Sequence, residues 1–277
     1  MMDATQTALV DALIEELERL PAQPSIAMRV LWIADDPSSS AKDLASAISA
    51  DPSLTARVLK LANSAYYGLS GRVANVGFAV TVIGFPTVRA MAAATATGLF
   101  TENTRAAPEG FWEHGLAVAT AASKLADRVG IRAADAFSLG LLHDLGSALL
   151  FRSDPDRYDD IVSRSVKTRR PLGDLEREAF GISHDTAAAR VFSAWRFPDD
   201  FVAAAGGHHD PVTSSSHSWT RLLAAAESVA ARLPRMPTWE LTSRDAGLAG
   251  LEMTTIDATK LAGAVKEEAN ELLVAFS

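Results

Sequence analysis

Cysteine is missing from this 277-residue chain. Its absence removes disulfides, thiolate metal ligands and a cysteine nucleophile together, so any metal has to be held by nitrogen and oxygen, which leaves iron, manganese, magnesium and zinc open. Aromatic residues are scarce, at 7%. An alanine-rich core with few large rings favours helix packed on helix, because small side chains let helix axes approach closely. Positive charge is in short supply: 26 Lys and Arg face 34 Asp and Glu, a net charge of −8. That balance argues against a protein that grips a nucleic-acid backbone, and the densest basic spot, Lys167-Thr-Arg-Arg170, is too small to reverse it. Long apolar runs are lacking as well. The longest candidate, 73–100, is interrupted by Asn75, Pro86 and Arg89, so no membrane span is expected. The acidic start, with Asp3, Asp11, Glu15 and Glu16, does not read as a signal peptide. The expectation is a cytoplasmic protein.

What is present is helical period. Leu9, Leu13, Leu17 and Leu20 form one stripe, Ser25 caps the next helix, and Ser40 to Asp43 makes a capping box. Asp51-Pro52 is the cleanest helix start, since Asp accepts from orphan amides while Pro gives up an N–H that had no partner. The β-formers between Val76 and Phe85 have no partner strand, so that segment is read as helix. The fold class is all-α. The polar gap Thr101 to Gly110 sets a boundary between an N-terminal helical subdomain, residues 1–105, and a helical core, 106–232, with 233–277 as a C-terminal extension. In the second half helices are expected near 110–129, 133–146, 155–168, 172–180, 184–196, 198–209, 218–233 and 256–275.

Five of the six histidines fall in one series: His114, His143, His184, His208 and His209. His114 lies on the stripe of Val118, Ala121 and Leu125, and His184 on that of Ala188, Val191 and Trp195, so both point inward. A single inward histidine is ordinarily a satisfied core residue. Asp144 beside His143, and Glu227 among Leu223, Ala226 and Ala230, sharpen the case. A buried carboxylate needs a cation, a salt bridge or a proton, with Arg221 or Arg232 as the plain alternative to a metal. Donors of metal-ligand type directed inward from separate helices together point to a metal-capable pocket. His217, among serines, is read as solvated, Asp185 as serving the first turn of its own helix, and the tryptophans at 32, 112, 195 and 219 as core.

The order His114, His143-Asp144, His184, His208-His209 and Glu227 resembles the HD superfamily of metal-dependent phosphohydrolases. LPAQPSIAMRVLWIADDP, DPSLTARVLKLANSAYYG, FWEHGLAVA, GLLHDLG and AGGHHDP resemble, more narrowly, the HDOD family of bacterial signalling output domains, over roughly 17–232. The resemblance implies a helical N-terminal subdomain packed on an HD-type core. It also implies one or two divalent ions, one held by His114, His143, Asp144 and Glu227, the other by His184, His208 and His209, with Asp144 bridging. His143 and Asp144 would be the residues of any catalysis. Where hydrolytic relatives read HDxGK this chain has Ser147, its last ligand is Glu rather than Asp, and no GYP element follows His208-His209. The expectation is therefore a non-catalytic regulatory module that binds signalling proteins and admits a nucleotide, with a metal-dependent phosphohydrolase as the alternative. Residues 233–277 are expected either to pack back on the core or to mediate a homodimer.

Overall fold

The computed structural model describes residues 4–19, 25–69, 71–99, 105–233, 245 and 247–276. Among them there is no strand. The first helices are α1 (Ala4–Arg19), α2 (Ile26–Asp35), α3 (Ala41–Ile48), α4 (Pro52–Ala62), α5 (Val76–Ile83) and α6 (Phe85–Ala96). They begin where local chemistry starts them: Ser25 accepts from the Met28 amide, Ser40 and Asp43 bond reciprocally, Asp51 accepts from Ser53 and Leu54, and Asn75 accepts from Phe78. Asn75 is thus the cap that decides helix over strand for α5. Gly84, at φ +81°, lets the chain turn sharply into α6, and the two apolar helices meet at 107°. No single helix among the described residues is long and apolar enough to cross a membrane.

The remaining helices are α7 (Phe111–Leu125), α8 (Ala133–Leu142), α9 (Leu145–Ser153), α10 (Pro155–Thr168), α11 (Leu172–Phe180), α12 (His184–Ala194), α13 (Asp199–Gly206), α14 (Ser218–Ala230) and α15 (Thr255–Phe276). The centre is α7, flanked by α8, α14 and α15. Alanine and glycine make this crossing tight: a Cβ on Gly140 of α8 would stand 2.6 Å from Ala119 Cα. The chain from α2 to α6 packs on itself and joins the centre through α6 against α8. By contrast α1 lies on α9, α11 and α12. It buries Val10, Ile14 and Leu17, while Leu13 is only partly buried, so the inward stripe is turned relative to the leucine series. Leu20 lies outside the described residues. The C-terminal α15 buries Ala258, Ala262, Val265 and Leu272 against α7, α14 and α4.

Three sequence expectations change. The helix expected over 133–146 is two helices, broken at His143-Asp144. The segment 198–209 is helical only to Gly206. Trp32 is not core: it is 48% exposed, because it lines a cavity of about 600 Å³ with Leu31, Trp195 and Arg196 rather than filling it.

Arg89, the charge that interrupts the apolar run 73–100, ties α6 to the end of α12. Arg89 on α6 is buried, donates to Asp35 Oδ1 at 2.6 Å, and reaches the Trp195 and Arg196 carbonyls at 3.1 and 2.6 Å. Its guanidinium carbon lies 4.2 Å from the centre of the Phe197 ring. Two successive carbonyls face one cation because Arg196 adopts the left-handed conformation, φ 56°, at the end of α12. Arg89→Met keeps the stem but leaves both carbonyls unpaired, so the expected loss is roughly 3 kcal/mol in equilibrium denaturation. A loss under about 0.5 kcal/mol, the usual size for surface sites, would show that the clamp is ornamental.

Candidate metal centre

The pocket is built where helices end. In an unbroken helix the Gly140 carbonyl would accept from the Asp144 amide; here it faces His143 Nδ1 at 2.7 Å. A carbonyl only accepts, so Nδ1 carries the proton and donates. The imidazole caps its own helix, the chain turns at Asp144 (ψ 14°), and neighbouring side chains that a helix would splay by about 100° enter the same space. The device recurs at His208, whose Nδ1 donates to the Ala205 carbonyl at 2.7 Å before the chain turns at His209. In both histidines the Nε2 atom is left facing inward.

Around those atoms the donors collect. His114 Nε2 lies 3.3 Å from His143 Nε2, 3.4 Å from Asp144 Oδ2 and 3.4 Å from Glu227 Oε1. His143 Nε2 is 2.5 Å from Glu227 Oε1 and 3.5 Å from Asp144 Oδ2. On the other side, His184 Nε2 is 2.8 Å from His209 Nε2 and 3.4 Å from His208 Nε2. Asp144 Oδ1 stands 3.6 Å from His184 Nε2 and 3.3 Å from His208 Nε2. Asp144 therefore turns one oxygen to each group. All of these residues are buried except His209, which is exposed. Every residue singled out from the sequence as a ligand is in this pocket, including Glu227. Arg221 and Arg232 are elsewhere: Arg221 donates to the Gly250 carbonyl, and Arg232 bonds the Ser228 carbonyl and Asp245. His217 stays outside, exposed and 3.5 Å from Asp200.

Burial works to raise the Glu227 pKa, but the charge of the nearby His114 and His143 imidazoles outweighs it and holds the carboxyl well below its ordinary range. Glu227 Oε1 is buried and makes no hydrogen bond of good geometry despite the nearness of two imidazoles. Nitrogen lone pairs and carboxylate oxygens pressed together repel one another unless a proton or a cation lies between them. The donor set fits a divalent ion of nitrogen and oxygen preference, and His114, His143 and Asp144 form one group of ligand atoms within 4.8 Å, His184, His208 and His209 a second.

Sequence reasoning missed the residues behind His184. Glu176 on α11 is fully buried, and its Oε2 accepts from His184 Nδ1 at 2.6 Å and from the His184 amide at 2.8 Å. Tyr158 on α10 donates to Glu176 Oε1 at 2.8 Å, and burial, reinforced by the Glu176 charge, raises its phenol well above the ordinary pKa. The signal was available: Glu176 sits on the stripe of Leu172, Leu175, Ala179 and Phe180, the same anomaly that marked Glu227.

Comparison with known proteins bears on this arrangement. A crystal structure named "Putative phosphohydrolase" from Shewanella amazonensis SB2B is 27% identical with TM-score 0.71, the match covering 96% of this chain and 98% of that one. One named "Putative signal transduction protein" from Marinobacter aquaeolei VT8 has TM-score 0.74 at 23% identity, covering 99% of this chain and 65% of that one. An "Uncharacterized protein" of Treponema pallidum (strain Nichols) is 23% identical over 206 residues, 74% of this chain and 40% of the relative, so this chain spans well under half of that protein. The HDOD domain model matches residues 20–211. With that match running over well more than half its length, and with the helical architecture shared, the chain belongs to the HDOD domain family.

Proposed function

We propose that this chain is a signal-transduction output module whose HD-like core holds divalent metal as a structural or sensory centre, and that it acts by engaging signalling proteins rather than by turning over a phosphoester. The observation that supports the metal is the convergence of five imidazoles and two carboxylates into one pocket, with Asp144 turned to both groups. His114, His143 and Glu227 with Asp144 would hold one ion, and His184, His208 and His209 the other. The regulatory reading draws on Ser147. At the place where hydrolytic relatives carry a lysine, this chain puts a buried hydroxyl, so that position offers no cation for a phosphate.

A second reading, a metal-dependent phosphohydrolase with a nucleotide as substrate, is favoured by His209, which brings a donor to the exposed rim. Ions bound in such a pocket polarise phosphoryl oxygens and acidify water. In either case the chain's own residues hold and orient, with His143 and His208 fixed by their backbone partners.

Elemental analysis of protein prepared without chelators comes first, followed by assays of the manganese-loaded protein on cyclic dinucleotides, guanosine polyphosphates and simple phosphodiesters. The expected result is one or two ions per chain and no turnover. Fewer than about one ion per two chains would remove the metal centre. Turnover that vanishes in His143→Ala would replace the regulatory reading with the hydrolytic one.

A further inference from the structure

The two ligand groups differ in what stands behind them. Group one contains a carboxylate of its own, Glu227, and His143 is steadied by a neutral backbone carbonyl. Group two is made of three imidazoles, and Asp144 Oδ1, whose carboxylate belongs to both groups, is turned to it. Behind it, in direct contact with His184, lies the buried Glu176. Both Glu176 oxygens act as acceptors, Oε2 for two N–H groups of His184 and Oε1 for the Tyr158 hydroxyl, an arrangement that uses the ionised carboxylate and leaves it nothing to donate.

We infer that Glu176 is the positioning residue of the second half of the pocket: it locks His184 as an Nδ1–H donor with Nε2 inward and adds negative charge behind the imidazole group, while Tyr158 holds Glu176 in place. The inference rests on the metal reading only for its second clause. The lock is a property of the metal-free protein. A histidine ligand whose far nitrogen donates to a carboxylate is fixed in orientation and made a stronger base, and loss of such a partner costs roughly 10- to 100-fold in metal affinity.

The test has two arms on the full-length chain. In the first, nitrogen-detected NMR of the metal-free protein reads the His184 ring, whose complete burial slows exchange of its N–H proton. Wild type is expected as the Nδ1–H tautomer. Glu176→Gln, which keeps shape and an acceptor oxygen, retains it; Glu176→Ala loses the preference. In the second arm, calorimetric titration with Mn2+ follows both binding steps. Glu176→Gln and Glu176→Ala are expected to weaken one step roughly 10- to 100-fold and leave the other unchanged, and Tyr158→Phe to weaken the same step less. An unchanged His184 tautomer in Glu176→Ala overturns the lock, and equal weakening of both steps overturns the assignment to one half. If wild type binds no Mn2+, the metal reading fails while the NMR arm still decides the lock. Glu176→Gln and Tyr158→Phe preserve volume, so the comparison survives if Glu176→Ala does not fold.

Discussion

Gly146→Ala is expected to destabilise this protein by about 3 kcal/mol or more, at or beyond the top of the range for overpacked cores, against a total stability of roughly 5–15 kcal/mol. The added methyl would overlap the His184 carbonyl oxygen and approach the His184 carbonyl carbon to 2.6 Å and its Cα to 2.9 Å. Those are backbone atoms at the first turn of α12, so no side-chain rotation relieves the clash. Either α9 or α12 has to move, and His184 moves with α12. Equilibrium denaturation in guanidinium reads the stability, and the His184 NMR signal reads the displacement. Gly263→Ala is the control: it lies on α15 with nothing near its would-be Cβ, so it is expected to gain about 0.5–1 kcal/mol through helix propensity alone. A Gly146→Ala protein as stable as wild type, with His184 undisturbed, would mean that α9 and α12 are less tightly joined than the structure has them.

Much of the fold could be read from the sequence because helix chemistry is local. Ser25, Ser40 with Asp43, and Asp51 with Pro52 each satisfy orphan amides within four residues, and all three start helices where expected. The inward histidines were legible for the same reason, as polar residues on apolar stripes. What the sequence concealed depends on contacts between distant segments. Arg89 meets Trp195 and Arg196 across more than a hundred residues, and although a lone arginine in an apolar run marks a buried charge, its sequence surroundings do not name the carbonyls it meets. Trp32 belongs to an apolar stripe, yet the cavity beside it opens one side to solvent, and periodicity has no measure of what lies opposite a face. The break at His143-Asp144 was hidden because Leu139 to Leu150 keeps an apolar helical pattern straight through it. The interruption comes from His143 bonding the Gly140 carbonyl and from Gly146 meeting His184, one a side-chain choice and the other a tertiary contact. That break is also what makes the pocket, so reading 133–146 as one continuous helix put His143 and Asp144 on different faces.

The split role of Asp144 sets the second large effect. Its Oδ2 lies with His114 and His143 and its Oδ1 with His184 and His208, whereas Glu227 lies against the first group and His209 against His184 of the second. Asp144→Ala is therefore expected to weaken both metal-binding steps by more than about 100-fold, above the range for groups that merely support a ligand. Glu227→Ala and His209→Ala should each weaken one step and spare the other. Thermal melts in excess Mn2+ and in chelator separate this from damage to the fold, because each variant is compared with itself. Metal at a hundred times its Kd stabilises the folded chain by about 2.7 kcal/mol per site, which for a chain of this size is roughly 5–10 °C. Wild type should show that difference, Glu227→Ala and His209→Ala part of it, and Asp144→Ala none. If Asp144→Ala keeps half of the metal-dependent shift, the carboxylate serves one group alone, and the two halves of the pocket are independent sites that share a wall.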